Sequence, residues 1–197
     1  ELESADVIHS FWVPRLGGKV DMIPGRRNFL RLQADAPGTY GGPCAGYCGG
    51  PHALMGLVVV AHDPQAYAAW RARQAQAATA VVSAQAPLAL IDQGRAVFAA
   101  SGCGACHTIR GTEANGLAGP DLTHVGSRQT LGAGILPNNQ GTMAGWISDS
   151  QGIKPGNRMP SYPVLTGADL RDVSAYLDSL QGVRRPAGTP SSTTASR

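Results

Sequence analysis

The sequence predicts two domains, an all-β half followed by an all-α half, and three observations carry that division. Residues 1 to about 63 are rich in Gly, Pro, Val and aromatic residues, arranged as short extended runs. The run Leu57-Val58-Val59-Val60-Ala61 is continuous and largely β-branched, which predicts a buried strand. From Asp63 onward the texture turns to Ala, Gln and Arg, and apolar residues then recur at helical spacing.

The elements follow in chain order. Val7 to Val13 and Asn28 to Leu32 read as extended runs, punctuated by Pro14, Gly17-Gly18, Pro24-Gly25, Pro37-Gly38 and Gly41-Gly42-Pro43. Asp63-Pro64 reads as a helix cap followed by proline at the first helical position, so residues 64–88 are expected to be a helix running into a linker. Residues 89–182 read as a small helical domain. Its helices are expected over Ala89 to Ala100, with Leu90, Ile91, Val97 and Phe98 apolar, and around Gly141 to Ser150, with Met143, Trp146 and Ile147 on one face. A last helix is capped by Thr166 and carries Leu170, Val173, Tyr176, Leu177 and Leu180. Gly182 reads as its stop, and residues 183–197 as a disordered polar tail.

Composition excludes several classes. The chain of 197 residues is 43% hydrophobic and 15% charged, which argues against disorder throughout. Its net charge of +3 is too small to argue for nucleic acid, and the excess cations fall in the linker and tail. No apolar run approaches the ~20 residues that span a bilayer, and no signal peptide is visible at Glu1-Leu2-Glu3. The four cysteines carry the functional reading.

Cys103-Gly104-Ala105-Cys106-His107 is C-x-x-C-H, the pattern for covalent attachment of a c-type haem. Two thiols on one turn can each add to a haem vinyl group, and the next histidine then lies under the iron as an axial ligand. A thioredoxin-like pair would need a βαβ context, and a zinc site a second ligand pair; neither is present. For the sixth ligand, Met159 sits in the proline-bounded loop Lys154 to Pro163, which can present a thioether rigidly. Met143 reads as core, and His124 is the other rival; bis-His ligation would lower the reduction potential.

The first pair lies in Cys44-Ala45-Gly46-Tyr47-Cys48-Gly49-Gly50-Pro51-His52-Ala53-Leu54-Met55. Thiolates, imidazole and thioether together select copper over hard cations. A mononuclear site needs one Cys, so two at i and i+4 suit a dinuclear centre with bridging thiolates, and His9 is the candidate second histidine. The competing reading is a Cys44–Cys48 disulfide, with His52 and Met55 as ordinary residues. His62 reads as a surface histidine.

These residues carry a resemblance. Residues 1–63, through Ser4 to Pro14, Gly18 to Arg26 and the cysteine loop, resemble the C-terminal half of the cupredoxin domain of cytochrome c oxidase subunit II. Residues 89–182 resemble a class I cytochrome c, in which the distal Met precedes Pro. The first resemblance implies that His9, Cys44, Cys48, His52 and Met55 are side-chain ligands of a dinuclear copper centre, with the Gly46 carbonyl as the sixth. The family usually has Glu where Gly46 stands, a carboxylate that helps hold magnesium against subunit I. The second implies that the Pro120 carbonyl in Gly119-Pro120-Asp121-Leu122 orients His107, and that Trp146 and Arg128 meet the haem propionates.

Together the two resemblances imply a cupredoxin-like domain (residues 1–63, its N-terminal part lying upstream) and a cytochrome c domain (89–182), joined by 64–88. The function implied is the electron-entry subunit of a bacterial haem–copper oxidase. Its partners would be subunit I, other oxidase subunits and cytochrome c or another small redox donor. Transmembrane helices upstream would anchor it to the cytoplasmic membrane, with these domains on the periplasmic face. Tethering would raise the effective concentration of haem at the copper domain. The alternatives are an entry module of a nitric-oxide or nitrous-oxide reductase, a stand-alone carrier, or a copper-free interaction domain.

Overall fold

The computed structural model describes residues 1–181, so the reading of Gly182 and the tail falls outside the described residues. In the first half, β1 (His9–Phe11) pairs antiparallel with β2 (Val20–Met22), and β3 (Gly38–Pro43) with β4 (Gly56–Ala61). A bridge between Phe11 and Cys44 ties the two sheets together, and Ala45 donates its N–H to Ser10 O at 3.0 Å. The chain crosses itself closely here: a methyl on Gly42 would lie 1.9 Å from Trp12 O. Val13, Ser10, Tyr40 and Cys44 form a small buried centre.

The β half differs from expectation in two ways. Val60 is 40% exposed, so β4 is not the buried strand its apolar run predicts. Continuous apolarity is a response to cover on both faces, and β4 pairs only with β3 among the described residues. Asn28 to Leu32 forms no strand either; Asn28 makes only an isolated bridge to Leu2.

The helix α1 (Pro64–Gln74) starts as its sequence predicts, with Asp63 Oδ1 accepting from Ala66 N at 2.8 Å and Pro64 in the first turn. It ends at Gln74, and the following segment does not run free. Arg110 donates to Gln74 O at 2.6 Å, His124 Nε2 lies 3.2 Å from Gln76 O, and Ala78 N donates to Arg110 O. Val81 N then donates to Ser179 O, so residues 74–81 form a strap across the helical half.

That half is built on α2 (Leu88–Ala100), α3 (Gln140–Ile153) and α4 (Gly167–Ser179). Capping boxes start the last two: Asn139 with Thr142, and Thr166 with Asp169. The tightest crossing joins α2 to α4 at Gly94, where a methyl would lie 2.0 Å from Asp172 O. Phe98 meets Tyr176 edge-on beside it, ring centroids 5.9 Å apart. Ile91, Ile109, Leu122, Val125, Met143, Ile147, Val173, Leu177 and Leu180 complete the core.

The helical half is not all-α. A short hairpin, β5 (Thr130–Leu131) and β6 (Leu136–Pro137), turns through Gly132, Ala133 and Gly134, all left-handed with φ of 62°, 62° and 89°. Ala133 is the one non-glycine residue at positive φ among the described residues, a conformation costing an L-residue roughly 1–2 kcal/mol. The hairpin reaches the first half: Gly56 N donates to Ala133 O at 2.7 Å, and Gln129 to Thr39 Oγ1 at 3.2 Å. Among the described residues no helix is long and apolar enough to cross a membrane.

Candidate functional site

The loop between β3 and β4 gathers the first set of donors. Cys44 leaves β3 with its N–H on Met55 O at 2.8 Å, which closes the base of the loop. A single turn at His52–Leu54 then directs His52 and Met55 back toward the cysteines. Cys44 Sγ and Cys48 Sγ are 3.8 Å apart and unbonded. His9 Nδ1 lies 3.9 Å from Cys44 Sγ, and His52 Nδ1 3.4 Å from Cys48 Sγ. Met55 Sδ is 3.8 Å from Cys48 Sγ, and Gly46 O 3.2 Å from Cys44 Sγ. All six donors named from the sequence therefore converge, with the ligand atoms of His9, Cys44 and Cys48 all within 4.8 Å of one another. A side chain at Gly46 would press on Ser10, its first atom 3.2 Å from Ser10 Cβ. Glycine there lets the loop lie against β1.

Electrostatics prepare these donors. Burial pushes the Cys44 thiol up, but hydrogen bonds with the Ser10 and Gly46 backbone, His9 and Cys48 outweigh it and bring it down to about 6. Burial and the neighbouring Cys44 push Cys48 the other way, above its usual value. Asp6, which the sequence reading missed, lies 2.9 Å from His9 Nε2 and leaves Nδ1 facing the sulfurs. The bond to His9, aided by Val7 N–H and Ser4, holds its carboxyl at about 2. The only sequence signal was the spacing Asp6-Val7-Ile8-His9. Two thiols, two ring nitrogens, a thioether and a carbonyl around one point suit soft, thiophilic copper.

The second set lies on the turn Cys103–Ala105 that follows α2. Gly102, at φ 70°, ends the helix and starts this turn. Cys103 is half-buried and Cys106 exposed, and burial raises the Cys103 thiol above its usual value. His107 Nδ1 is 2.8 Å from Pro120 O, so Nε2 is the nitrogen left to bind. Gly119 makes room for the ring; a methyl there would lie 2.5 Å from His107 Cε1. Arg128 donates to the Asp121 carbonyl on the same loop.

Met159 is partly buried against the core, and the Trp146 indole N–H donates to its sulfur at 3.1 Å. Its backbone is pinned from three sides. Ser150 Oγ and Gln151 Nε2 each donate to Met159 O at 2.7 Å, and Met159 N donates to Asn157 Oδ1 at 2.8 Å. The rivals are engaged elsewhere: Met143 is buried in the core, and His124 is 6% exposed beneath the strap. His62 is exposed, its ring 6.2 Å from that of Trp70.

Lys154 was not foreseen as a site residue. It begins the Met159 loop, is 6% exposed, and its Nζ donates to Gly132 O at 2.9 Å. Burial holds its pKa below the usual lysine value, and the opposing charge of Cys48 offsets only part of that. A sequence shows only a lysine after a helix; its burial depends on the hairpin and the cysteine loop meeting it.

Comparison with known proteins separates along the same division. Residues 1–62 match the family model for the cytochrome C oxidase subunit II periplasmic domain, and residues 91–181 the model for cytochrome c. Each half thus resembles one of those two families. Cytochrome c oxidase subunit 2 of Alkalihalophilus pseudofirmus is 42% identical over 92% of this chain and 51% of its own length. The protein of the same name from Bacillus sp. strain PS3 is 34% identical over 91% of this chain and 52% of its own. The chain thus spans about half the length of the curated relatives it matches. A solved periplasmic domain of subunit II of cytochrome oxidase from Bradyrhizobium japonicum aligns at 38% identity over 35% of this chain and 50% of its own, with a TM-score of 0.34. By name the relatives are subunits of an oxidoreductase complex. The architecture is therefore a cupredoxin-like domain followed by a cytochrome c domain, implying a copper site in the first and haem in the second.

Proposed function

We propose that this chain is the electron-entry part of a bacterial haem–copper cytochrome c oxidase. It holds one covalent haem c and a dinuclear copper centre, and it passes electrons from a small redox donor to subunit I, where oxygen is reduced. The observation that carries this reading is the presence of both donor sets on one chain: six convergent groups around Cys44 and Cys48, and a C-x-x-C-H turn with its histidine already held by Pro120 O. The bound cofactors supply reversible one-electron chemistry.

The chain's own residues do the rest. Cys103 and Cys106 would hold the haem through two thioethers. His107 keeps its orientation through Pro120, and Met159 is presented from a loop fixed by Ser150, Gln151 and Asn157. Cys44, Cys48, His9, His52, Met55 and the Gly46 carbonyl would together hold the copper pair. The chain docks on subunit I and other oxidase subunits at the periplasmic face of the cytoplasmic membrane. Gly46 offers no carboxylate for the magnesium that the family holds at that junction.

The test is spectroscopic. The loaded protein should show a covalently held haem and the mixed-valence paramagnetic signal of a copper pair. Cys103→Ser and Cys106→Ser should each lose one thioether, and Cys48→Ser the copper signal. Unchanged covalent haem in the first two, or a wild-type copper signal in the third, would contradict the assignment.

A further inference from the structure

The two donor sets meet at the β5–β6 hairpin. From the haem side, Met159 Sδ accepts the Trp146 indole N–H at 3.1 Å. The Trp146 ring abuts Gly132 so closely that a methyl there would lie 3.0 Å from the ring. From the copper side, Ala133 O accepts Gly56 N–H at 2.7 Å. Gly56 N is bonded to the carbonyl carbon of Met55, and that carbonyl oxygen accepts Cys44 N–H at 2.8 Å. A run of covalent bonds, hydrogen bonds and one van der Waals contact thus links Met159 to both Met55 and Cys44.

The turn that completes this run is held in an unusual shape. Three successive residues are left-handed, and one of them is Ala133, a conformation that persists only where surroundings enforce it. Two contacts enforce it. Buried Lys154 donates to Gly132 O from one side, and Gly56 N–H takes Ala133 O on the other. Gly134 has no room for a side chain, since a methyl would come within 3.1 Å of Gly56 C.

We propose that the Gly132–Ala133–Gly134 turn is the electronic junction of this protein, carrying electrons between the two cofactor-holding halves through Trp146, the Ala133 carbonyl and the Gly56 N–H. The proposal rests on the ligand reading above and adds the route. The step moves one electron from ferrous iron, oxidised to ferric, to the mixed-valence copper pair, reduced to the dicuprous state. No bond breaks and no proton moves. Trp146 and Ala133 lie on the route and Lys154 is a positioning residue, acting through Gly132 O; none of the three is itself a ligand.

The test uses the full chain with both cofactors loaded, and two readouts. One is hydrogen exchange at the Gly56 amide; the other is interdomain transfer after flash reduction of the haem. Gly134→Val should wedge the turn from Gly56. It should speed exchange about fivefold, the equivalent of one net hydrogen bond, and lose most of the transfer rate with haem and copper spectra retained. Lys154→Met, which frees Gly132 O without touching a ligand, should move both readouts the same way and serves if Gly134→Val does not fold. Transfer at the parent's rate in a variant whose Gly56 exchange has risen would overturn the route. If the parent bound no copper or haem, the ligand reading would fall. The route would fall with it, and Gly56 exchange in the metal-free chain would then report only whether Gly134→Val breaks the contact between Ala133 O and Gly56 N.

Discussion

The indole nitrogen of Trp146 stands 3.1 Å from the sulfur of Met159 and donates to it. A thioether has two lone pairs, so one can bind a metal while the other accepts this hydrogen bond. With Met159 as the proposed iron ligand, a donor on its sulfur would withdraw electron density from the iron and favour the reduced state. Trp146→Phe should therefore lower the haem potential, by on the order of 40 mV if one net hydrogen bond of ~1 kcal/mol is lost. A spectroelectrochemical titration reads this directly, and an unchanged potential would place the indole off the sulfur in the loaded protein.

Gly94 sets local propensity against packing. Alanine in mid-helix stabilises by roughly 0.5–1 kcal/mol over glycine. Here its methyl would fall 2.0 Å from Asp172 O and 2.7 Å from Tyr176 Cβ. Overpacking of this kind costs about 1–3 kcal/mol, so Gly94→Ala should lower the denaturant midpoint of the haem-binding half. A raised midpoint would mean that α2 and α4 separate easily.

Asp6 should matter to copper through His9. Removing the carboxylate leaves the imidazole free to turn and to change tautomer, and partners of this kind typically give about 10–100-fold in metal affinity. Asp6→Ala should weaken copper retention against a chelator by at least the lower of those factors. Equal retention would show that the Asp6–His9 contact at 2.9 Å does not orient the ligand.

Asp121 gives a pH dependence. Burial raises its pKa, but hydrogen bonds from Thr123 and the charges of Arg110 and Arg128 outweigh that, leaving it below the usual 3.8. A carboxylate depressed in the folded state adds stability above its unfolded pKa, and that stability is lost as pH falls through the folded value. Asp121→Asn should therefore lose less stability than the parent between pH 6 and pH 3. The effect is expected to be small because the side chain is about half exposed. Parallel pH profiles for the two proteins would sink this assignment.

Local signals in the sequence survived into structure. Asp63-Pro64 and Thr166 cap the helices they precede, because a cap needs only its own three or four neighbours. The cysteine loop was legible for a similar reason: five of its six donors lie within one loop, and only His9 comes from elsewhere. Contacts between distant segments were not legible. Lys154 looked like a residue after a helix, and Leu131 to Ile135 carried no period that marked a hairpin. The burial expected of Val60 failed because an apolar run reports the cover it is suited to rather than the cover present. The helix-forming composition of residues 65–80 predicts a helix longer than the one that stops at Gln74, since nothing local shows that Arg110 and His124 reach across to hold the residues beyond it.

That strap changes what kind of tether joins the halves. A free coil would let one half wander and find the other by chance, and turnover would then slow in a viscous or crowded medium. With Gln74 and Gln76 held to one half and Gly56 to the same half's hairpin, little slack remains between them. The separation between the two donor sets is set when the chain folds, and in the proposed relay each passage of charge would start from a distance already chosen.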